Sequence, residues 1–375
     1  MNILISPQSF KGSISALNTA KAINIGVKNV LPEAKTIILP VADGGDGTLE
    51  TLVDVSGGEI KNCRVSNPLG VLIDSNWGGM GDNHTAVIEM AKMSGLALIE
   101  PSKRNPMYTT TYGLGETIKD ALDQGYRDFI IGIGGSATND GGLGMAEALG
   151  AILKDKNNKQ IKRGIKGLSS LKTIDLKDID KRIYNSSFQI ACDVNNPLYG
   201  PNGATHIFGP QKGFNSDEIK LIDSYMKNYG NLIDSISKRE ISKHPGSGAA
   251  GGIGAAAMYF LNAELKSGSE IILNYLEFEK HCKNIDLIIT GEGQIDFQTI
   301  NNKAPIAVAR IAQKYKIPVF AICGILGKDY QKVYKEGIKK IYPLSKNEKE
   351  IEFAINNASK LIAENAYQIM KDNFI

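Results

Sequence analysis

The sequence predicts an α/β protein in which the two ends of the chain build one doubly wound parallel-sheet domain and the middle forms an inserted second α/β domain. Three observations lead there. Short apolar strands alternate with amphipathic helical patterns in the first and last thirds of the 375 residues. Strands that are apolar throughout and separated by helices belong to parallel sheets covered on both faces. From about 66 to 270 the elements become shorter and more mixed ("HTAVIEM", "DFIIGIGG", "GAILKD", "FQIACDV"). The expected boundaries assign 1–65 and 281–375 to the discontinuous domain and 66–280 to the insertion. Seven or eight β-α units in one sheet is the competing layout.

"NILIS" (2–6) reads as a buried strand, and Ser13 as the N-cap of a helix over roughly 14–29, where Ile14, Leu17, Ala20, Ile23 and Val27 recur at helical spacing. "KTIILPV" (35–41) is the next strand. Near the other end, "IDLIIT" (285–290), "IPVFAICG" (317–324) and "KKIYPL" (339–344) are strands, with helices at about 304–315, 328–336 and 347–371. Ligands of open α/β sheets sit beyond the carboxyl ends of the strands, so the strand-to-loop junctions are the places to search.

Composition narrows the function classes. Lys+Arg 43 against Asp+Glu 40 leaves +3, which is not the footprint of a nucleic-acid binder. Cysteines 63, 192, 282 and 323 are far apart and form no C-x-x-C, which argues against a disulfide framework or zinc site. The apolar stretch "GAAGGIGAAAMYFL" is too short and too Gly-rich to span a bilayer, and "MNILISPQSFKG" lacks the features of a signal peptide. The expectation is a cytoplasmic protein with no nucleic-acid or membrane partner.

The junctions are rich in polar residues. The first strand runs into "SPQSFKGS", where Ser9 and Lys11 lie at a ligand-facing position and Lys11 can neutralise phosphate or carboxylate. The second runs into "VADGGDGT"; Asp43 and Asp46 among glycines suit Mg²⁺, which takes one or two carboxylates plus phosphate oxygens and water. "CDVNNPLYGPNGATHIFGPQKG" (192–213) places Asp193 just after a strand, with Asn195, Asn196, His206, Gln211 and Lys212 nearby. "PGSGAAGGIGAAAMYF" (245–260) offers a Gly-rich helix entry that could face an anion. "LIITGEGQIDFQTINNK" crowds Glu292, Asp296, Gln298, Thr299 and Lys303 behind one strand.

The loop "GIGGSATNDGG" (132–142) has three readings. Gly132-x-Gly134-x-x-Ala137 formally matches a dinucleotide fingerprint, but Thr138–Gly142 intervenes where the helix should begin. As a phosphate cradle it offers close backbone approach at Gly134 and Gly135, with donors from Ser136, Thr138 and Asn139. A plain turn is the third. There is no G-x-x-x-x-G-K-[ST], no H-R-D or D-F-G set and no G-x-S-x-G, and histidines 84, 206, 244 and 281 have no metal spacing. The one Tyr-x-x-x-Lys (Tyr367, Lys371) falls in the terminal helix.

Taken in order, "SFKGSISA", "PVADGGDGT", "RNPMYTTTYGLGE", "GIGGSATNDGG", "CDVNNPLYGPNGA…FGPQKG", "GAAGGIGAA" and "TGEGQIDFQT…K" resemble the bacterial type I glycerate kinase family over nearly the whole chain. The resemblance implies a discontinuous Rossmann-like domain plus an inserted α/β domain. It also implies transfer of a phosphoryl group from ATP, with Mg²⁺, to D-glycerate, giving the 2- or 3-phosphate, by a monomer or homodimer. For such a reaction the catalytic candidates are Asp193 or Asp296, to accept the hydroxyl proton, and Lys11, to neutralise the transferring phosphoryl group or bind the carboxylate. Gly134, Gly135, Ser136, Thr138 and Asn139 would hold nucleotide phosphates, Ser9, Asn195, Gln298 and Lys303 the glycerate, and Asp43 and Asp46 the metal. Three positions depart from the family pattern: Gln8 for Asp, Asp46 for Glu and Asn302 for Gly. Asn302 keeps the capacity for a left-handed turn.

Overall fold

The computed structural model describes residues 1–375. In chain order the strands are β1 (Asn2–Pro7), β2 (Lys35–Ile38), β3 (Glu59–Ser66), β4 (Leu72–Gly79), β5 (Thr85–Glu89), β6 (Asp128–Gly132), β7 (Ile152–Lys154), β8 (Thr173–Asp175), β9 (Ser187–Ala191), β10 (Glu264–Lys266), β11 (Leu287–Ile295), β12 (Val319–Leu326) and β13 (Ile338–Pro343). They form a five-stranded sheet, a six-stranded sheet and a small two-stranded one, β7–β8, so the single-sheet layout does not occur. The chain divides into two compact units, one of Met1–Asp43, Glu50–Val55 and Ser267–Ile375, the other of Gly44–Leu49 and Ser56–Lys266.

The first unit carries the five-stranded sheet in the order β13-β12-β11-β1-β2, all pairs parallel. On one face Ile3, Ile5, Leu287, Ile289, Phe320 and Ile322 pack against Ala20, Ile23 and Val27 of the helix Ala16–Val30 and Ile362, Ala366 and Ile369 of the helix Ala358–Phe374. The alternate residues Leu4, Ile288 and Val319 are also fully buried, since successive strand side chains point to opposite faces. The helix Ala304–Lys314, which packs on β1, β11 and β12, buries Ile306, Val308, Ala309 and Ala312. Burial on both faces is why these strands are apolar without alternation.

The second unit carries the order β10-β9-β6-β5-β4-β3. β10, β9, β6 and β5 are parallel; β4 and β3 close the sheet as an antiparallel hairpin. Its core gathers Trp77, Phe129, Ile131, Phe188, Ile190, Ile253 and their neighbours.

Several elements differ from expectation in instructive ways. The unit boundaries fall elsewhere than 65 and 280: β3 pairs with β4 along its whole length and so joins the second unit, while the helix Gly268–Tyr275 packs on the helix Ala304–Lys314 of the first. Ser15, not Ser13, caps the first helix by accepting from Asn18 N, and Ser13 Oγ instead donates to Ile355 O. The segment expected as a helix at 328–336 is a 3₁₀ turn, Tyr330–Glu336, and the terminal helix breaks into Ile351–Asn356 and Ala358–Phe374.

Candidate active site

In the first unit, the order in which strands are added reverses between the neighbouring parallel strands β1 and β11. From β1 the chain moves to β2 on one side, and from β11 to β12 and β13 on the other. Such a switch point opens a crevice at the carboxyl ends of the strands. Gln8 N donates to Gly291 O at 2.8 Å, extending the ladder before the two chains part. Beyond it β1 leads to Ser9 and the exposed Lys11, while β11 continues through Glu292, still paired with β12, and then leads to Asp296 and Lys303. A Cβ at Gly293 would lie 3.6 Å from Lys11 N, so the two loops leave side by side. Gly324 lets the next strand pass, since a Cβ there would sit 2.4 Å from Gly293 O.

Thr299 joins the two acids. Its hydroxyl donates to Glu292 Oε1 at 2.9 Å and accepts from Asp296 N at 3.1 Å. Asp296 Oδ1 accepts from Gln298 N and Oδ2 from Gln294 Nε2, both at 2.8 Å. These donors fix the carboxylate, and a carboxylate has lone pairs left over for a further partner. Lys303 Nζ stands 3.7 Å from Glu292 Oε2. Glu292 is buried, and burial raises its carboxyl to about 7; Lys303 and the Thr299 bond oppose that rise, and the Asp43 and Asp296 charges add to it. A carboxyl that changes charge near neutrality, in a crevice, is a recognised sign of acid–base work.

In the second unit, three parallel strands end in register: Gly132 pairs with Glu89 on one side and Ala191 on the other. The loops after β6 and β9 therefore leave together, bringing Gly134 and Asp193 to the same edge. Gly44–Leu49 is held there too. Glu89 Oε1 accepts from Leu49 N at 2.9 Å, and a Cβ on Gly132 would lie 2.5 Å from Gly44 O. Asp46, Asp193 and Asn195 are exposed on this edge.

The loop after β6 presents backbone outward and locks side chains inward. Gly134 and Gly135 are exposed, Gly135 at φ 69°, and a Cβ at Gly134 would meet nothing within 4 Å. Ala137 N donates to Ser94 O, whereas the N–H groups of Gly134, Gly135 and Ser136 make no backbone bond. Three unspent N–H groups in a turn are what a phosphate oxygen requires. Thr138 and Asn139, expected as further phosphate donors, are fully buried, and Asn139 Nδ2 donates to Thr205 Oγ1 at 3.0 Å. Asp140 is buried as well, accepting from Thr111 N, Thr111 Oγ1, Gly142 N and Gly144 N; burial raises its carboxyl and those bonds oppose the rise. The next helix begins at Leu143, not near Ala137, which removes the strand-turn-helix geometry that a dinucleotide fingerprint needs.

Two residues outside the expected set emerge. Glu292 was legible only as one acid in a polar crowd. Lys212 closes the helix Ala204–Lys212 with its ammonium buried under the loop, donating to Ser136 Oγ at 2.9 Å and Thr138 O at 2.6 Å. The Gly-rich segment before residue 253 faces inward instead of toward an anion. Ala250, Gly251 and Gly252 all have positive φ, Gly251 O accepts from Gly141 N, and a Cβ on Gly251 would fall 2.1 Å from Thr138 O. It braces the loop from behind. His206 stands 3.4 Å from Asp223, and Asn302 adopts the left-handed turn, at φ 60°.

No helix is long and apolar enough to cross a membrane. The sequence profile of the glycerate kinase family matches residues 3–373. Bacillus subtilis glycerate kinase is 45% identical over 98% of this chain and 97% of its own, and Escherichia coli glycerate 2-kinase is 46% identical over 91% and 90%. The crystal structure of a glycerate kinase 2 from Salmonella typhimurium LT2 superposes with a TM-score of 0.92 at 42% identity, covering 99% of this chain and 98% of that one. With profile, sequence and fold matched along nearly its entire length, the chain belongs to the glycerate kinase family.

Proposed function

We propose that this protein transfers the γ-phosphoryl group of ATP, with Mg²⁺, to a hydroxyl of D-glycerate, in the cytoplasm and as a monomer or homodimer. The observation that carries the reading is the acid–lysine cluster at the switch point of the first unit, in a chain of this family. Glycerate is a small anion bearing two hydroxyls. Its kinase must neutralise a carboxylate, orient one hydroxyl and accept that hydroxyl's proton as the phosphoryl group arrives.

Asp296 is the group assigned to the proton, because Gln298 N and Gln294 Nε2 hold its carboxylate in one orientation; the exposed Asp193 is the alternative. Lys11 and Lys303 supply positive charge for carboxylate or phosphoryl oxygens, and Ser9, Gln298 and Asn195 supply hydroxyl and amide groups for glycerate. Gly134, Gly135 and Ser136 are assigned to nucleotide phosphates, since their N–H groups make no backbone bond. The full burial of Thr138 and Asn139 gives those two a supporting place beneath the loop. Mg²⁺ supplies charge neutralisation at the phosphate oxygens. Asp43 and Asp46 would hold it. Two carboxylates fit an ion that keeps water and phosphate oxygens as its other ligands.

The test is ADP release, measured with Mg²⁺ and a panel of small hydroxy acids, followed by NMR of the product to locate the phosphate. D-glycerate is expected to give the highest kcat/KM. Absence of ADP release with D-glycerate, or NAD reduction in a parallel reaction, would overturn the reading.

A further inference from the structure

Lys212 is a charged group with no charged partner in contact. It is 1% exposed, and its two acceptors, Ser136 Oγ and Thr138 O, are both neutral. Asp140, on the loop after β6, is the only group whose charge supports the ammonium, and that carboxylate is already bonded by four donors from Thr111, Gly142 and Gly144. Burial accordingly depresses Lys212 to about 7. The other ionisable neighbours do not supply a counter-charge. Tyr229, from the helix Ser216–Ser237, is itself buried and held neutral, its phenol raised well above the usual value by burial. A buried cation of this kind is costly unless something negative completes it.

The hydrogen-bond direction says where that charge would enter. An ammonium has only donors, so Ser136 Oγ accepts from Lys212, and the hydroxyl's own proton is left to point elsewhere. The same residue's N–H, with those of Gly134 and Gly135, has no backbone acceptor. One side of the loop is therefore fixed by Lys212, and the other presents a hydroxyl and three N–H groups.

We infer that Lys212 is the positioning residue of a polyphosphate subsite: from beneath the Gly134–Ser136 turn it polarises Ser136 as a donor and supplies the buried positive charge that a nucleotide's phosphate groups complete. The inference rests on the assignment of this loop to phosphate. It also gives that binding a proton signature. An anion above the turn favours the charged lysine, so at pH 8, where the free lysine is mostly neutral, binding draws a proton from solvent to Nζ.

Calorimetric titration of the full-length protein with ATP–Mg²⁺, in buffers of differing ionisation heat, measures that proton. Wild type is expected to take up most of one proton per nucleotide at pH 8 and almost none at pH 6. Lys212→Gln keeps a hydrogen-bond donor without the charge. It should abolish the uptake and weaken binding by about tenfold to a hundredfold, the range for a charge-assisted bond; a purely structural strut would be rescued by Gln. Gly134→Val places a side chain in open space on the outer side of the turn and tests the loop itself. If Gly134→Val weakens ATP binding while Lys212→Gln leaves affinity and proton uptake unchanged, the role of Lys212 is overturned and the loop assignment stands. If Gly134→Val leaves affinity unchanged, the loop assignment fails and the inference fails with it. Should Lys212→Gln not fold, the absence of proton uptake by wild type at pH 8 is by itself sufficient to reject the inference.

Discussion

Each unit presents polar groups at the carboxyl ends of its parallel strands, but with different parts of the chain. The first does so with side chains: Glu292 lies in the last part of β11, Asp296 and Lys303 follow it, and Lys11 follows β1. The second does so chiefly with backbone. Its turn at Gly134–Ser136 has unspent N–H groups, while Thr138, Asn139, Asp140 and Lys212 are buried beneath it. Under the proposed function, the difference matches the chemistry of the two ligands. A hydroxyl that must lose a proton needs a titratable group, whereas phosphate oxygens that only need charge dispersed are served by rigid dipoles that do not reorganise.

The largest effect that would sharpen this contrast is on turnover. Asp296→Asn is expected to lower kcat by about 10²–10⁴-fold, the range for loss of a general base, with Asp193→Asn costing less; the reverse ranking in steady-state kinetics would transfer the role to Asp193. On the backbone-built side, the corresponding injury is to folding. Gly251→Ala forces a side chain into a φ of 73° and toward Thr138 O, where the Cβ would be 2.1 Å away. It should cost about 3 kcal/mol of stability, read from urea midpoints.

Glu292 tests the side-chain cluster through pH. Its folded-state value of about 7 lies above the unfolded 4.5, so below pH 4.5 the carboxyl is neutral in both states and carries no penalty. Between 4.5 and 7 the unfolded chain loses its proton first and the stability conferred by the neutral form is lost; above 7 the penalty of a buried charge is complete. Glu292→Gln is therefore expected to be about 3 kcal/mol more stable than wild type at pH 8 and close to equal near pH 4. Equal stabilities at both pH values would show that Lys303 fully compensates the charge. The smallest effect expected is at the turn before Lys303. Asn302→Ala keeps φ near 60° without an amide to support it and should cost about 1 kcal/mol, measured as a shift in Tm; no shift would mean that the turn relaxes.

Much of the first unit was legible because parallel strands buried on both faces must be apolar, and "NILIS", "IDLIIT" and "IPVFAICG" have no other soluble explanation. Their loops were legible by position, since the residues after such strands face ligands. Three things were not. Lys212 lies among Gly, Pro and Gln, a context that reads as exposed; only the tertiary contact with Ser136 and Thr138 reveals its burial. Thr138 and Asn139 look like donors to a ligand, yet the segment Ala250–Gly252 packs behind them, and its left-handed start is invisible to helical periodicity because small residues fit either conformation. The 3₁₀ turn at Tyr330–Glu336 carries residues compatible with an α-helix, and local propensity is a weak prior against tertiary packing.

The pairing of β1 with β11 has a consequence for how the protein comes into being. Ser6 and Thr290 are neighbours in one sheet yet 284 residues apart in the chain. At a ribosomal pace of roughly 5–20 residues per second, the first strand emerges and waits on the order of 15–60 s before its central partner exists. The sequence from Ser56 to Lys266, which contains nearly all of the second unit, is made within that interval. The newborn N-terminal strand thus has only β2 to pair with for most of synthesis, and the last part of the chain to be made supplies its second neighbour.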